Sequence, residues 1–454
     1  MKYVSTRGGA PALAFDDVLL TGLARDGGLY VPESWPTVKG DFASMRYQDV
    51  AVEVMWPFVE GTIDRDDFAA IVERAYATFD HPDVVPLRDL GGGLYLLELF
   101  HGPTLAFKDV ALQLVGHLFE RELAKRGERL TIVGATSGDT GSAAIEACRD
   151  RDALDIVMLH PAGRVSDVQR RQMTTVPSSN VHNVAVEGTF DDCQDLVKAM
   201  FNDATFRDRH RLSAVNSINW ARILAQVVYY VKAAADVGGP VSFTVPTGNF
   251  GNVFAGWVAR RIGTPIRSLV VGSNRNDILP RFFDTGVMEM QGVVPTTSPS
   301  MDIQVSSNFE RLLFELLGRD GERVAGVMAR FRDERRIDLS DVLAPSREVF
   351  DAYRVDDDEV RDVIRTLWVD QQVLVDPHTA VGLAAAARQG ATPMISLATA
   401  HPAKFPDAVE AAVGFRPELP AHLADLFDRD ERFITLPNDL ARVEEFVTSA
   451  TMKT

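Results

Sequence analysis

Leu94-Tyr-Leu-Leu-Glu-Leu-Phe100, followed by His101-Gly-Pro-Thr-Leu-Ala-Phe-Lys108-Asp109, decides how the rest of this chain is read. The first segment is an apolar strand. Beyond the second, apolar residues at Ala111, Leu114, Val115, Leu118 and Phe119 predict an amphipathic helix over about 110–125. Asp109 is placed to act as its N-cap. A lysine therefore stands on a strand-to-helix loop, where the positive end of the helix dipole disfavours the charged form of an amine. That is the direction Schiff-base chemistry needs. An exposed lysine beside a helix start fits this stretch equally well.

Two further junctions shift the balance. Leu130-Thr-Ile-Val-Gly-Ala135 reads as a buried strand and Ser142-Ala-Ala-Ile-Glu-Ala-Cys148 as a helix, with Thr136-Ser-Gly-Asp-Thr-Gly141 between them. Glycines and hydroxyls at such a turn direct backbone N–H groups and side-chain donors toward an anion. The strand Val241-Ser-Phe-Thr-Val245 leads into Pro246-Thr-Gly-Asn-Phe-Gly-Asn252 and a helix over 253–261, a second loop fit to hold a phosphate on backbone amides. One Gly-rich turn is weak evidence. Two of them with a junction lysine form a constellation.

These stretches resemble the threonine synthase family, pyridoxal-phosphate enzymes of the tryptophan-synthase-β-like fold (fold type II). HGPTLAFKD, GATSGDTGSAA, VNSINWARI, PTGNFGN and LATAHPAKF carry the resemblance, and YVSTRG and DGGLYVPE look like its longer-chain branch. The match spans residues 3–406 or so. Cysteine synthase, the serine and threonine dehydratases and tryptophan synthase β share the layout but not these words. The resemblance implies an α/β protein with two open, parallel-rich sheets flanked by helices and pyridoxal 5'-phosphate in the cleft. It also implies a β,γ-replacement that turns O-phospho-L-homoserine and water into L-threonine and phosphate.

Residue by residue, the resemblance makes Lys108 the Schiff-base lysine and proton carrier. Phe107 stacks on the pyridine face or is an ordinary core phenylalanine. Gly248, Asn249, Phe250, Gly251 and Asn252 cup the cofactor phosphate, although the asparagines also suit a plain turn. Thr399 hydrogen-bonds the pyridine nitrogen; a hydroxyl there, unlike an aspartate, leaves the ring a weaker electron sink. Thr136, Ser137, Asp139 and Thr140 meet the substrate's α-carboxylate end, where a carboxylate is awkward unless protonated or paired. Asn216, Ser217, Asn219 and Arg222 hold the substrate's γ-phosphate. Outside the family, an N-capped helix bearing a surface arginine would explain that last set.

Composition bounds the rest. A chain of 454 residues with 46% apolar residues suggests two or three compact units. The net charge of −17 argues against nucleic-acid or anionic-membrane partners, and requires local donors wherever phosphate esters bind. Cys148 and Cys193 form no CxxC pair, so neither a metal site nor a disulfide framework is expected. The N-terminus lacks an apolar h-region and no long apolar run follows, which predicts a cytoplasmic protein. The long-chain branch leans monomeric, with a dimer as the alternative.

The spacing divides the chain into a mainly helical region over 1–85 and an α/β domain over 86–210 with the lysine loop and the carboxylate-binding turn. A second α/β domain over 211–454 carries the phosphate cup, with a helical insertion at about 274–355. Helices are expected over 48–59, 66–79 and 220–237, the last stopped by Gly238-Gly-Pro240, and a helix start at Asp376-Pro-His-Thr-Ala380. Three rivals stand against the family reading. A dehydratase has no need of the VNSINWARI motif. A nucleotide-binding protein lacks both its fingerprints here. A threonine-synthase-like phospholyase is countered by the NSINWAR, SGDTG and N-terminal stretches.

Overall fold

A computed structural model describes residues 1–214 and 216–451. It is a mixed α/β protein that divides into two compact units. The first comprises residues 1–19, 23–111 and 217–417; the second comprises 20–22, 112–216 and the chain from Glu418 onward.

The first unit is built on a six-stranded sheet. From edge to edge its strands are Phe350–Arg354, Ile266–Ser273, Val241–Pro246, Met394–Ala398, Leu94–Glu98 and Leu87–Gly91. The first five run parallel, and Leu87–Gly91 joins antiparallel to Leu94–Glu98 as a hairpin. Every residue of Val241–Pro246 and of Met394–Ala398 is buried, as strands covered on both faces should be. The helix Pro377–Gln389 starts where expected, with Pro377 at its first position and Asp376 accepting from the backbone of His378 and Thr379. Its Ala380, Val381 and Ala384 pack in one apolar cluster with Leu96 and Ala398.

The second unit holds a five-stranded sheet ordered Ile434–Pro437, Val181–Glu187, Leu154–Pro161, Leu130–Ala135 and Leu212–Ser213, all parallel. Its core joins Val133, Val157, Leu159, Val184 and Val186 to Cys193 and Met200 of one helix and Val443 and Val447 of another. Cys148 and Cys193 are both free and buried, and burial pushes their thiols up to about 12 and about 11.

Three expectations change. The lysine loop and its strand belong with the first unit, because Leu94–Glu98 pairs with Met394–Ala398, while the chain beyond Glu418 completes the second unit's sheet. The 274–355 segment is not purely helical: Phe350–Arg354 is a sheet edge, and Val287–Glu289 pairs antiparallel with Arg336–Asp338. These strands are too short for period-two alternation to stand out among charged helix formers. Finally, Asp109 is not the N-cap, since the helix Lys108–Arg126 already includes it.

Candidate active site

The segment between Leu94–Glu98 and the Lys108 helix is pinned along its length to the end of Met394–Ala398. Leu99 N–H donates to the Ala398 carbonyl (2.9 Å), Phe107 N–H to that of Thr399 (2.9 Å), and His401 N–H to that of Leu105 (3.0 Å). Leu105 turns the chain with a φ of 63°. The fully buried Asp109 carboxylate accepts from the Thr104 amide (2.8 Å) and hydroxyl (2.6 Å), and the buried Lys404 Nζ donates to the Thr104 carbonyl (2.7 Å). Lys108 is thus held at the first residue of its helix, 8% exposed, with Nζ 4.9 Å from the centre of the Phe107 ring. Phe107 itself is only half-buried, so it is not an ordinary core residue. A buried amine at the first residue of a pinned helix has a fixed position.

In the loop 248–252, side chains and backbone divide the work. Phe250 adopts a left-handed conformation (φ 64°), and its ring packs against Phe309 and Phe350, so only its backbone can face a ligand. A Cβ on Gly248 would lie 2.9 Å from the Ser300 carbonyl oxygen, which makes glycine obligatory there. Ser306 Oγ donates to the Gly248 carbonyl (2.6 Å), and the Asn308 backbone (3.0 Å) and Nδ2 (3.1 Å) donate to that of Asn249. Because a trans peptide points its N–H opposite its C=O, these bonds turn the Asn249 and Phe250 amides the other way, as an anion cup requires. Asn249 is exposed, Gly251 is buried, and Asn252 Nδ2 is buried without a hydrogen-bond partner among the described residues. An orphan donor beside free helix-start amides suits a phosphate.

Thr399 is 6% exposed, and its N–H donates to Thr379 Oγ1 (3.2 Å). Thr379 in turn bonds the fully buried Asp376, which also holds His378 Nδ1 at 2.7 Å. The Thr399 backbone is therefore fixed from both sides, by Thr379 and by Phe107.

Arg222 is not the surface residue that an N-capped helix alone would suggest. It is 3% exposed, and its Nε and Nη1 have no partner among the described residues. Burial lowers its guanidinium to about 10, with no carboxylate opposing the shift. Asn219 takes a different part from the one expected. Its Oδ1 accepts from Ala221 N–H (2.9 Å) as the cap of helix Trp220–Val237, and its Nδ2 donates to the Leu19 carbonyl (2.9 Å), so both ends are committed to the fold. Ser217 Oγ lies 3.4 Å from Ser307 Oγ, which is 3.5 Å from Asn249 Oδ1. Asn216 is exposed.

Arg311 braces this region from within the segment read as an insertion. It donates to the Tyr30 carbonyl (3.1 Å), the Ile218 carbonyl (2.6 Å) and Asn308 Oδ1, and Asn308 Nδ2 reaches the Ser217 carbonyl (3.1 Å). Sequence reasoning missed Ser306, Asn308 and Arg311. The available signal was a run of polar residues, Ser306-Ser-Asn308, directly before the helix Phe309–Leu316.

In the second unit, Thr136 Oγ1 accepts from the amides of Gly138 and Gly141 (2.9 Å each), so the hydroxyl shapes the turn. Ser137 is exposed and Thr140 half-buried. Asp139, 5% exposed, accepts from Gln169 Nε2 at 2.8 Å, and Gln169 Oε1 accepts from Ser166 Oγ at 2.9 Å. The neutral amide of Gln169 is thus one contact of this carboxylate. A Cβ on Gly138 would sit 2.4 Å from Gln169 Cδ, so the turn and Gln169 are fitted to each other. Gln169 was also missed; its only signal was a serine helix cap three residues before it.

An α/β frame that buries a lysine at a helix start, with a glycine loop of free helix-start amides in the same compact unit, is compatible with a pyridoxal-phosphate enzyme. Residues 83–330 match the family described as "Pyridoxal-phosphate dependent enzyme". Residues 2–76 match "Threonine synthase N terminus", and residues 379–447 match "Threonine synthase, C-terminal". The threonine synthase of Pseudomonas aeruginosa is 54% identical over 460 residues, covering 99% of this chain and 98% of its own. The crystal structure of PLP-bound threonine synthase from Brucella melitensis gives a TM-score of 0.97 at 53% identity, covering 100% of both chains. The yeast threonine synthase structure gives 0.94 at 38% identity, covering 100% of this chain and 99% of that one. The chain belongs to the threonine synthase family.

Proposed function

We propose that the protein catalyses the threonine synthase reaction, converting O-phospho-L-homoserine and water to L-threonine and phosphate. Pyridoxal 5'-phosphate, when bound, supplies the electron sink that makes the substrate's α and β protons removable. Lys108 would anchor the cofactor and then move protons, taking one from Cα and one from Cβ. It would return one to Cγ, which becomes the methyl group, and one to Cα, while the proton of the attacking water goes to the departing phosphate. Phosphate leaves from Cγ and water adds at Cβ, so the atoms balance without an oxidant or reductant. The loop 248–252 would hold the cofactor phosphate, Phe107 would contact the ring and Thr399 would hydrogen-bond its nitrogen. Thr136, Ser137, Asp139 and Thr140 take the α-carboxylate end, while Ser217, Asn216 and Arg222 take the γ-phosphate.

The observation that carries this reading is Arg222, a buried guanidinium with two nitrogens unpartnered among the described residues and no carboxylate offsetting its burial. Such a group is costly unless an anion meets it. The substrate of a dehydratase carries no phosphate and gives it no use. The test is to load the protein with pyridoxal 5'-phosphate, add O-phospho-L-homoserine, and quantify threonine and phosphate alongside Lys108→Ala. Equal amounts of both products, absent in the variant, are expected. Phosphate without threonine would replace this reading with that of a phospholyase.

Among the described residues no helix is long and apolar enough to cross a membrane. A cytoplasmic monomer is the working form we propose, supported by the two free cysteines and the resemblance to the long-chain branch. Light scattering should then return the chain mass of 49.9 kDa.

A further inference from the structure

Asn252 is the second residue of helix Gly251–Arg261, and the use of its side chain depends on which way the amide faces. Two phenols sit behind it. Tyr229 Oη lies 2.6 Å and Tyr230 Oη 2.9 Å from Asn252 Oδ1, and both tyrosines are fully buried. Each phenol has one hydrogen and a second acceptor within reach: Gln226 Oε1 at 3.3 Å for Tyr229, and the Asn252 backbone carbonyl at 3.0 Å for Tyr230. The hydrogen of Tyr229 belongs on the shorter contact, to Asn252. Gln226 is itself held in place, its Nε2 donating to the Arg222 carbonyl at 2.9 Å.

The two orientations of the amide differ in what they present to the cup. With Oδ1 on the phenols, the buried Nδ2 is an unmet donor at a helix N-terminus, where an anion belongs. With the amide reversed, an acceptor oxygen would face that anion. An isolated asparagine could adopt either orientation. Donors placed behind it decide the matter, and burial raises both phenols far above their ordinary range, so they remain donors at any working pH.

We propose that Tyr229 and Tyr230 are positioning residues that fix Asn252 as a hydrogen-bond donor to the phosphate of pyridoxal 5'-phosphate. The inference rests on the reading of residues 248–252 as the cofactor-phosphate cup. It assigns the start of helix Trp220–Val237 to one phosphate, through Arg222, and its third turn to the other.

The test compares two ligands that differ only in the phosphate. Apoprotein is titrated with pyridoxal 5'-phosphate and with pyridoxal, following the visible absorbance of the bound form, for wild type, Tyr229→Phe, Tyr230→Phe and Asn252→Ala. Tyr229→Phe should weaken the phosphorylated ligand about tenfold, which is about 1.4 kcal/mol, and leave pyridoxal within about twofold. In the Asn252→Ala background the same change should add nothing. Equal weakening of both ligands would show a merely structural role and overturn the proposal, as would additive losses in the double variant. Tyr230→Phe, expected to act in the same direction but less, keeps the question open to test if Tyr229→Phe lowers the apoprotein's melting temperature. If wild type shows no preference for the phosphorylated ligand, the cup reading itself falls, a result distinct from failure of the tyrosine variants.

Discussion

At the scale of single residues, burial separates the side chains that serve the fold from those poised for a ligand. Arg311 and Arg222 are both buried cations, lowered to about 9 and about 10. Arg311 is satisfied by two carbonyls and an asparagine oxygen, whereas two of the nitrogens of Arg222 have no partner among the described residues. Arg222→Lys should therefore raise KM for O-phospho-L-homoserine about tenfold or more, since a point charge cannot reproduce a planar fork of donors. It should leave the absorbance of the bound cofactor unchanged. The pH dependence has a definite sign. A phosphate monoester gains its second charge near pH ~6, and a guanidinium at about 10 stays charged below that value. In steady-state assays KM should fall as pH rises through ~6, stay flat, and climb again as pH approaches 10. A KM for Arg222→Lys equal to that of wild type would remove Arg222 from the substrate site.

Among the elements, the short segment before the Phe309–Leu316 helix does more than its length suggests. Asn308 bonds the carbonyls of Ser217 and Asn249 (3.1 Å each) and also meets Arg311, so one amide ties the two loops together. Asn308→Ala removes a partner from a buried guanidinium nitrogen and from the Ser217 carbonyl, and leaves the Asn249 carbonyl with the backbone N–H alone, at a cost of about 2–4 kcal/mol. Chemical denaturation should show that loss, and cofactor affinity and substrate KM should worsen together. If only one of them changed, the two loops would not share this support. At this scale the sequence was readable where local chemistry is strong: Trp220–Val237 stops at Gly238 in a left-handed conformation, and Pro377–Gln389 opens on an aspartate cap. It was unreadable at Phe350–Arg354, whose strand character comes from pairing beside Ile266–Ser273.

For the molecule as a whole, discontinuity in sequence has consequences for stability. The chain beyond Glu418 contributes the edge strand Ile434–Pro437, the core residues Val443 and Val447, and Glu431, whose Oε2 lies 2.9 Å from Arg170 Nε. Ending the chain after Pro417 should uncover Val184, Val186, Cys193 and Met200 of the second unit. Cys193, fully buried with its thiol pushed up to about 11, should then react rapidly with a thiol reagent that the intact protein resists under native conditions. Protease cleavage should concentrate within residues 112–216. An unreactive Cys193 in the truncated protein would show that the second unit stands without its C-terminal segment.

The sequence alone determined the strand–loop–helix junctions and their glycines, the helix start at Asp376, the lysine at a helix start and the motifs of the family. All of these depend on neighbours within a few residues, and periodicity and turn chemistry report on that range. Tertiary structure decided which strands pair, that Asn219 caps while Arg222 stays buried, that Asp139 meets Gln169, and that two tyrosines stand behind Asn252. The Lys404–Thr104 and Arg170–Glu431 contacts join residues 300 and 261 positions apart. Hydrogen bonds and burial at such separations depend on where the packed core places each group, and the local pattern around either residue does not encode the partner.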